Sequence, residues 1–139
     1  MYGLDASRGG DGYAEYMQRP DGLERLLDAN ANRAREGLRV LEDAARFVLD
    51  ASEPASEAKA LRHGITARIA EISGRIGSPG RDVGGDVGAE LGQPAEYQRP
   101  NLGSVVEAAG HRAAEAIRAL EEYAKIIDAE VAAELAKLR

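Results

Sequence analysis

The sequence has no cysteine, no tryptophan, one phenylalanine and only two histidines. Without cysteine there can be no disulfide, thiolate nucleophile, iron–sulfur cluster or ordinary structural zinc site, and His63 and His111 are left as the nitrogen ligands. Aromatics make up 4% of the chain, with tyrosine the main one at five copies, so a row of stacking platforms for single-stranded nucleic acid is not expected. Positive charge is in deficit as well. A net charge of -6 and a pI near 5.0 remove the basic footprint of a protein whose main partner is nucleic acid. Any anion must therefore be met by a local arginine cluster. No apolar run approaches the roughly 20 residues that span a bilayer, and the N-terminus lacks the basic-then-apolar order of a secretory signal. The expected setting is cytoplasmic, with no membrane partner.

What is present is a chain of 139 residues, the size of one compact domain, with 44% apolar residues. With so few aromatics the core must come from Ala, Leu, Ile and Val, which favours closely packed helices. Residues 1–20 mix Gly and polar residues without a period and read as a flexible lead-in to a helical domain over 21–139. Asp21 with Glu24 resembles a capping box that starts a helix. Leu27, Ala31, Ala34, Leu38, Leu41, Ala45 and Val48 then recur at steps of three and four, predicting one helix that ends near Asp50. Pro54 breaks the pattern, and Ser52 or Ser56 can cap a second helix marked by Leu61, Ile65, Ile69, Ile72 and Ile76. A Gly-rich connection follows over 77–103, long enough to suggest function. Ser104 with Glu107 forms a second expected capping box, and an apolar stripe from Val106 to Leu138 continues to the chain end with a break near Asp128.

Laying residues 28–46 on 107–125 gives eight identities in nineteen positions, at an offset of 79. The less trivial matches are Arg33/Arg112, Glu36/Glu115, Arg39/Arg118, Leu41/Leu120 and Glu42/Glu121. The expected fold is an all-α helical bundle of two related halves, packed about a pseudo-twofold axis.

The repeated Arg-x-x-Glu row admits two readings. It is either a ladder of surface ion pairs, worth about 0.2–0.5 kcal/mol each, or a phosphate site. In the second reading Arg39 and Glu42 converge with Arg118 and Glu121 if the halves pack together, with Arg35 and Arg46 on the same flank of the first helix. Arginine suits phosphate because its planar fork donates two parallel bonds, and carboxylates suit Mg²⁺. Asn30 and Asn32 lie one turn upstream, either as ordinary surface amides or as groups that orient a polar ring. Gly37 costs roughly 1 kcal/mol against Ala inside a helix, so a close approach by a helix or a ligand is expected there. The loop's Arg81, Asp82 and Asp86 lie among glycines whose N–H groups can turn towards an anion, although no Walker A or dinucleotide spacing is present. His63 reads as a packing or capping residue.

At DANANRAREGLRVLEDAARFVLD the sequence resembles the monofunctional hydroxymethylpyrimidine-phosphate kinase family, the helical domain often fused N-terminally to thiamine-phosphate synthase. The resemblance continues through ALRH at 60–63, RDVGGDVG at 81–88, EYQR at 96–99 and HRAAEAIRALEEYAK at 111–125. It implies transfer of a phosphoryl group from ATP, with Mg²⁺, to 4-amino-5-hydroxymethyl-2-methylpyrimidine phosphate. It further implies Arg39, Arg118 and Arg81 as phosphate clamps, and Glu42, Glu121, Asp82 and Asp86 as metal-binding or orienting carboxylates. Asn30 and Asn32 then read the ring, and Arg33, Glu36 and Arg112 contact substrate. The family's helical domain runs on past an LRY-like segment, whereas this sequence stops at Leu138-Arg139, which reads as an excised domain. The competing expectations are a non-catalytic module that forms a homodimer or scaffolds a partner synthase, and a phosphate-ester sensor without turnover.

Overall fold

A computed structural model describes residues 20–76 and 97–139, the side chains of 20–21 and 74–76 excepted. Residues 1–19 of the proposed lead-in and most of the Gly-rich connection, with Arg81, Asp82 and Asp86, lie outside the described residues, while Pro20 belongs to the first helix.

Among the described residues there are four helices: α1 (Pro20–Phe47), α2 (Ser52–Ile76), α3 (Leu102–Ala124) and α4 (Ala129–Leu138). No strand occurs among the described residues. Helix α1 opens on a proline, whose missing N–H costs nothing in a first turn. Asp21 therefore sits inside that turn rather than capping it, and Glu24 is buried with its Oε1 unbonded. The helix ends at Phe47, short of Asp50, and Val48 is exposed instead of closing the stripe. Asp50 takes a left-handed φ of 48°, and the Ala51 N–H donates back to the Ala45 carbonyl at 2.8 Å. The chain turns here, and Pro54 falls in the first turn of α2, where a proline is tolerated.

The start of α3 corrects the expected cap. Asn101, not Ser104, is the N-cap: its side chain accepts from the Ser104 N–H at 2.9 Å, while the Asn101 N–H donates to the Ser104 hydroxyl at 3.3 Å. Ser104 is thus the closing member of the box. At the expected break, Asp128 caps α4 by accepting from the N–H groups of Glu130 and Val131.

Helix α1 packs on α2 and α3, and α4 on α3 and α2, closing a four-helix bundle. The core joins Leu27, Ala31, Ala34 and Leu38 to Ile65, Ile69 and Ile72, and to the inner stripes of α3 and α4. Ile65, Ile72, Leu120 and Leu135 are fully buried, each contributing about 1.5–3 kcal/mol. Helices α1 and α3 approach closely at Gly37. A Cβ at Gly37 would lie 2.6 Å from the Ala109 carbonyl oxygen and 3.0 Å from the Ala113 Cβ, while Gly110 faces Leu41. The glycine inside α1 is explained by a neighbouring helix. These pairings run in opposite directions along the two helices, so α1 and α3 are antiparallel.

Candidate anion site

Helices α1 and α2 are set antiparallel by two cross-helix pairs, Glu42 with Arg62 and Arg35 with Thr66. On α1, Arg35, Arg39 and Arg46 follow one another at steps of four and seven, which keeps them on one flank. Arg62 and Thr66 are one turn apart on α2 and face that flank. Glu42 is the anchor between them, 3% exposed. Its Oε2 accepts from Arg62 Nη2 at 2.9 Å and Arg62 Nε at 3.3 Å, and Arg39 Nη1 lies 3.7 Å away. Burial opposes ionisation of Glu42, yet the Arg62 hydrogen bonds and the charges of Arg62, Arg39 and Arg46 outweigh it and hold the carboxyl below the usual range.

Arg35 is held separately: its Nη2 donates to Asn32 Oδ1 at 2.6 Å and its Nη1 to Thr66 Oγ1 at 3.5 Å. The Asn32 Nδ2 in turn donates to Asp28. Arg46 stacks over the Phe47 ring, 4.9 Å from its centroid.

The second half repeats the device. Glu121 is 7% exposed, with Arg118 at 3.8 Å, Arg139 at 3.6 Å and Lys125 at 3.9 Å. Arg139 occupies the role of Arg62, following a leucine in both cases: Leu61-Arg62 and Leu138-Arg139. The copy is looser and more nearly neutral. Glu121 Oε2 has no hydrogen bond, and Glu122 binds Lys125 at 2.6 Å and pairs with Arg118. Arg35 is replaced by Ala114 and Arg46 by Lys125.

The two clusters do not converge. Glu42 lies five residues beyond Gly37 and Glu121 eight beyond Ala113, in opposite directions along the antiparallel pair. On the order of 20 Å of helix separates them at 1.5 Å per residue. Arg39 and Glu42 therefore meet Arg62, and Arg118 and Glu121 meet Arg139, at opposite ends of the crossing. Arg112 does cross between helices, to Glu36 at 3.8 Å, and Arg33 is exposed. Asn30 is 7% exposed and donates to its own helix at the Leu26 carbonyl, and both ends of the Asn32 amide are engaged. Arg62 and Thr66 were not legible as site residues, although the repeated Leu-Arg dipeptide was a usable signal.

Residues 25–139 match the ThiD2 family. The chain belongs to that family. It is 44% identical over 117 residues to a thiamine-phosphate synthase of Rhodopirellula baltica, covering 83% of this chain and 31% of that protein. It is also 39% identical over 114 residues to a thiamine-phosphate synthase of Nostoc sp., covering 82% of this chain and 31% of the relative. This ThiD2 chain thus spans about a third of the length of the curated relatives it matches. No solved structure matches it.

A groove of about 550 Å³ lies at the α2–α4 contact of this ThiD2 fold, but Glu71, Asp128, Glu130 and Glu134 line it against the single cation Arg68. Such a lining repels phosphate. The arginine flank of α1 and α2 carries the charge that suits an anion.

Proposed function

We propose that the chain acts in thiamine biosynthesis by phosphorylating 4-amino-5-hydroxymethyl-2-methylpyrimidine phosphate with ATP, giving the diphosphate. Membership in the ThiD2 family and likeness to proteins named thiamine-phosphate synthase support the biosynthetic setting. The observation that carries the chemistry is the buried, ionised Glu42 holding Arg62 beside Arg39 and Arg46. A phosphate monoester has a second pKa of about 6, so its oxygen is a nucleophile at neutral pH without a strong base. An acceptor phosphate oxygen attacks the terminal phosphorus of ATP, the new P–O–P bond forms, and ADP leaves with the electrons of the broken bond. The obstacle is repulsion between two anions, which fixed guanidiniums lower without reorganising.

Mg²⁺ would screen the nucleotide phosphates when bound, but Glu42 does not suit it, because its Oε2 already faces two guanidiniums. No group of three or more His, Asp or Glu suited to a metal occurs among the described residues. Asp82 and Asp86 lie outside the described residues. Glu42 is assigned to orienting Arg62 and Arg39.

The test is a product assay with purified protein, Mg-ATP and the pyrimidine monophosphate, with the unphosphorylated alcohol run beside it. Diphosphate formed from the monophosphate alone supports the reading, and no product from folded protein sinks it. The non-catalytic docking module draws on a different observation, the exposed Phe47, Val48 and Leu49 at one end of the bundle. Absence of product together with binding to a thiamine-phosphate synthase would select that reading.

A further inference from the structure

The flank of α1 and α2 holds more cationic length than one phosphate group can use. Arg35 and Arg46 are eleven residues apart, on the order of 16 Å along the helix axis, with Arg39 between them and Arg62 reaching in from α2. Glu42 is the buried carboxylate within this length and is already paired, while Glu36 is exposed and pairs with Arg112. Asp28 borders the lower end through Asn32, and exposed Asp43 borders the upper flank. The arginines fall into two groups with separate supports. Arg39, Arg46 and Arg62 surround Glu42, whereas Arg35 is held by Asn32 and Thr66 one turn below.

Each support leaves donors over. A guanidinium has five N–H donors; Arg62 gives Nε and Nη2 to Glu42, and Arg35 gives one bond from each terminal nitrogen. Holding the groups in advance also reduces the ordering cost of binding. Nothing in the second half matches the lower group, since Ala114 stands at the position of Arg35.

We infer that this face binds two linked phosphoryl groups as one ligand, the Glu42 cluster taking one and Arg35 the other, so that Arg35 distinguishes a diphosphate from a monophosphate. The inference rests on taking this face as the phosphate-ester site of the proposed reaction. It adds that the diphosphate product competes for the same arginines as the acceptor.

The experiment is titration calorimetry on the full chain at pH 8 with EDTA, using inorganic phosphate and pyrophosphate as probes. The wild type is expected to bind pyrophosphate at least tenfold more tightly than phosphate. In Arg35→Ala that ratio should fall to within about threefold, with phosphate affinity changed less than twofold. Arg35→Gln, which keeps most of the apolar stem, should behave alike, and circular dichroism verifies that each variant is folded. Thr66→Val should reduce the ratio partway. Equal affinity for the two probes in the wild type overturns the inference, as does a folded Arg35 variant that keeps the preference. Kinase turnover without a pyrophosphate preference would remove this inference alone, whereas the preference without turnover would remove the kinase reading alone.

Discussion

The α-carbon of Gly37 on α1 lies so near α3 that an added methyl would stand 2.6 Å from the Ala109 carbonyl oxygen. Gly37→Ala gains about 1 kcal/mol of helix propensity but forces a backbone atom to move, and net destabilisation of about 1–3 kcal/mol is expected. Gly22 is the control, because nothing lies within 4 Å of its Cβ position. Gly22→Ala should be neutral or stabilising by about 0.5–1 kcal/mol. Urea denaturation of both variants checks the pair, and a stabilised Gly37→Ala would refute the close crossing.

The Glu42–Arg62 pair should be strongly coupled. Glu42→Gln keeps a carbonyl acceptor but removes the buried charge that faces Arg62 and turns one carboxylate oxygen into an N–H donor, and is expected to cost about 2 kcal/mol. A double-mutant cycle with Arg62→Met measures the interaction directly. Additive losses would show that the two side chains do not meet in solution.

Glu42 also sets a pH dependence. Its folded pKa lies below the ordinary value of 4.5, so its stabilisation is fully present above that value and lost as pH falls through the lower folded pKa. The stability gap between wild type and Glu42→Gln should therefore be constant from pH 7 to about 5 and close only under stronger acid. A gap that closed nearer neutrality would mean that burial, not the arginines, controls this carboxyl.

How much of this was legible in the sequence follows from what is local and what is not. The stripe Leu27, Ala31, Ala34, Leu38 and Ala45 was readable because helical period is a property of neighbouring residues, and all five are buried. Gly37 announced a close approach by its cost, and the repeat announced two halves. The partner of Glu42 was not readable, because it depends on the α1–α2 register, and that is set by the left-handed turn at Asp50. The supposed meeting of Glu42 with Glu121 failed for a similar reason: equivalent residues on antiparallel helices recede from the crossing in opposite directions.

The corrected cap on α3 gives another test. Asn101→Ala should cost about 1 kcal/mol by leaving the Ser104 N–H unpaired. Glu107→Ala should be nearly silent, since Glu107 is exposed and its ion pair with His111 is 3.8 Å long. Thermal denaturation separates the two, and the reverse order would restore Ser104 as the cap.

The arginine flank also bears on encounter kinetics. A body of net charge -6 repels an approaching phosphate over most of its surface, while the field of Arg35, Arg39, Arg46 and Arg62 draws it towards α1 and α2. Capture is thus steered to one side before any contact is made, and salt slows association far more than it hastens release.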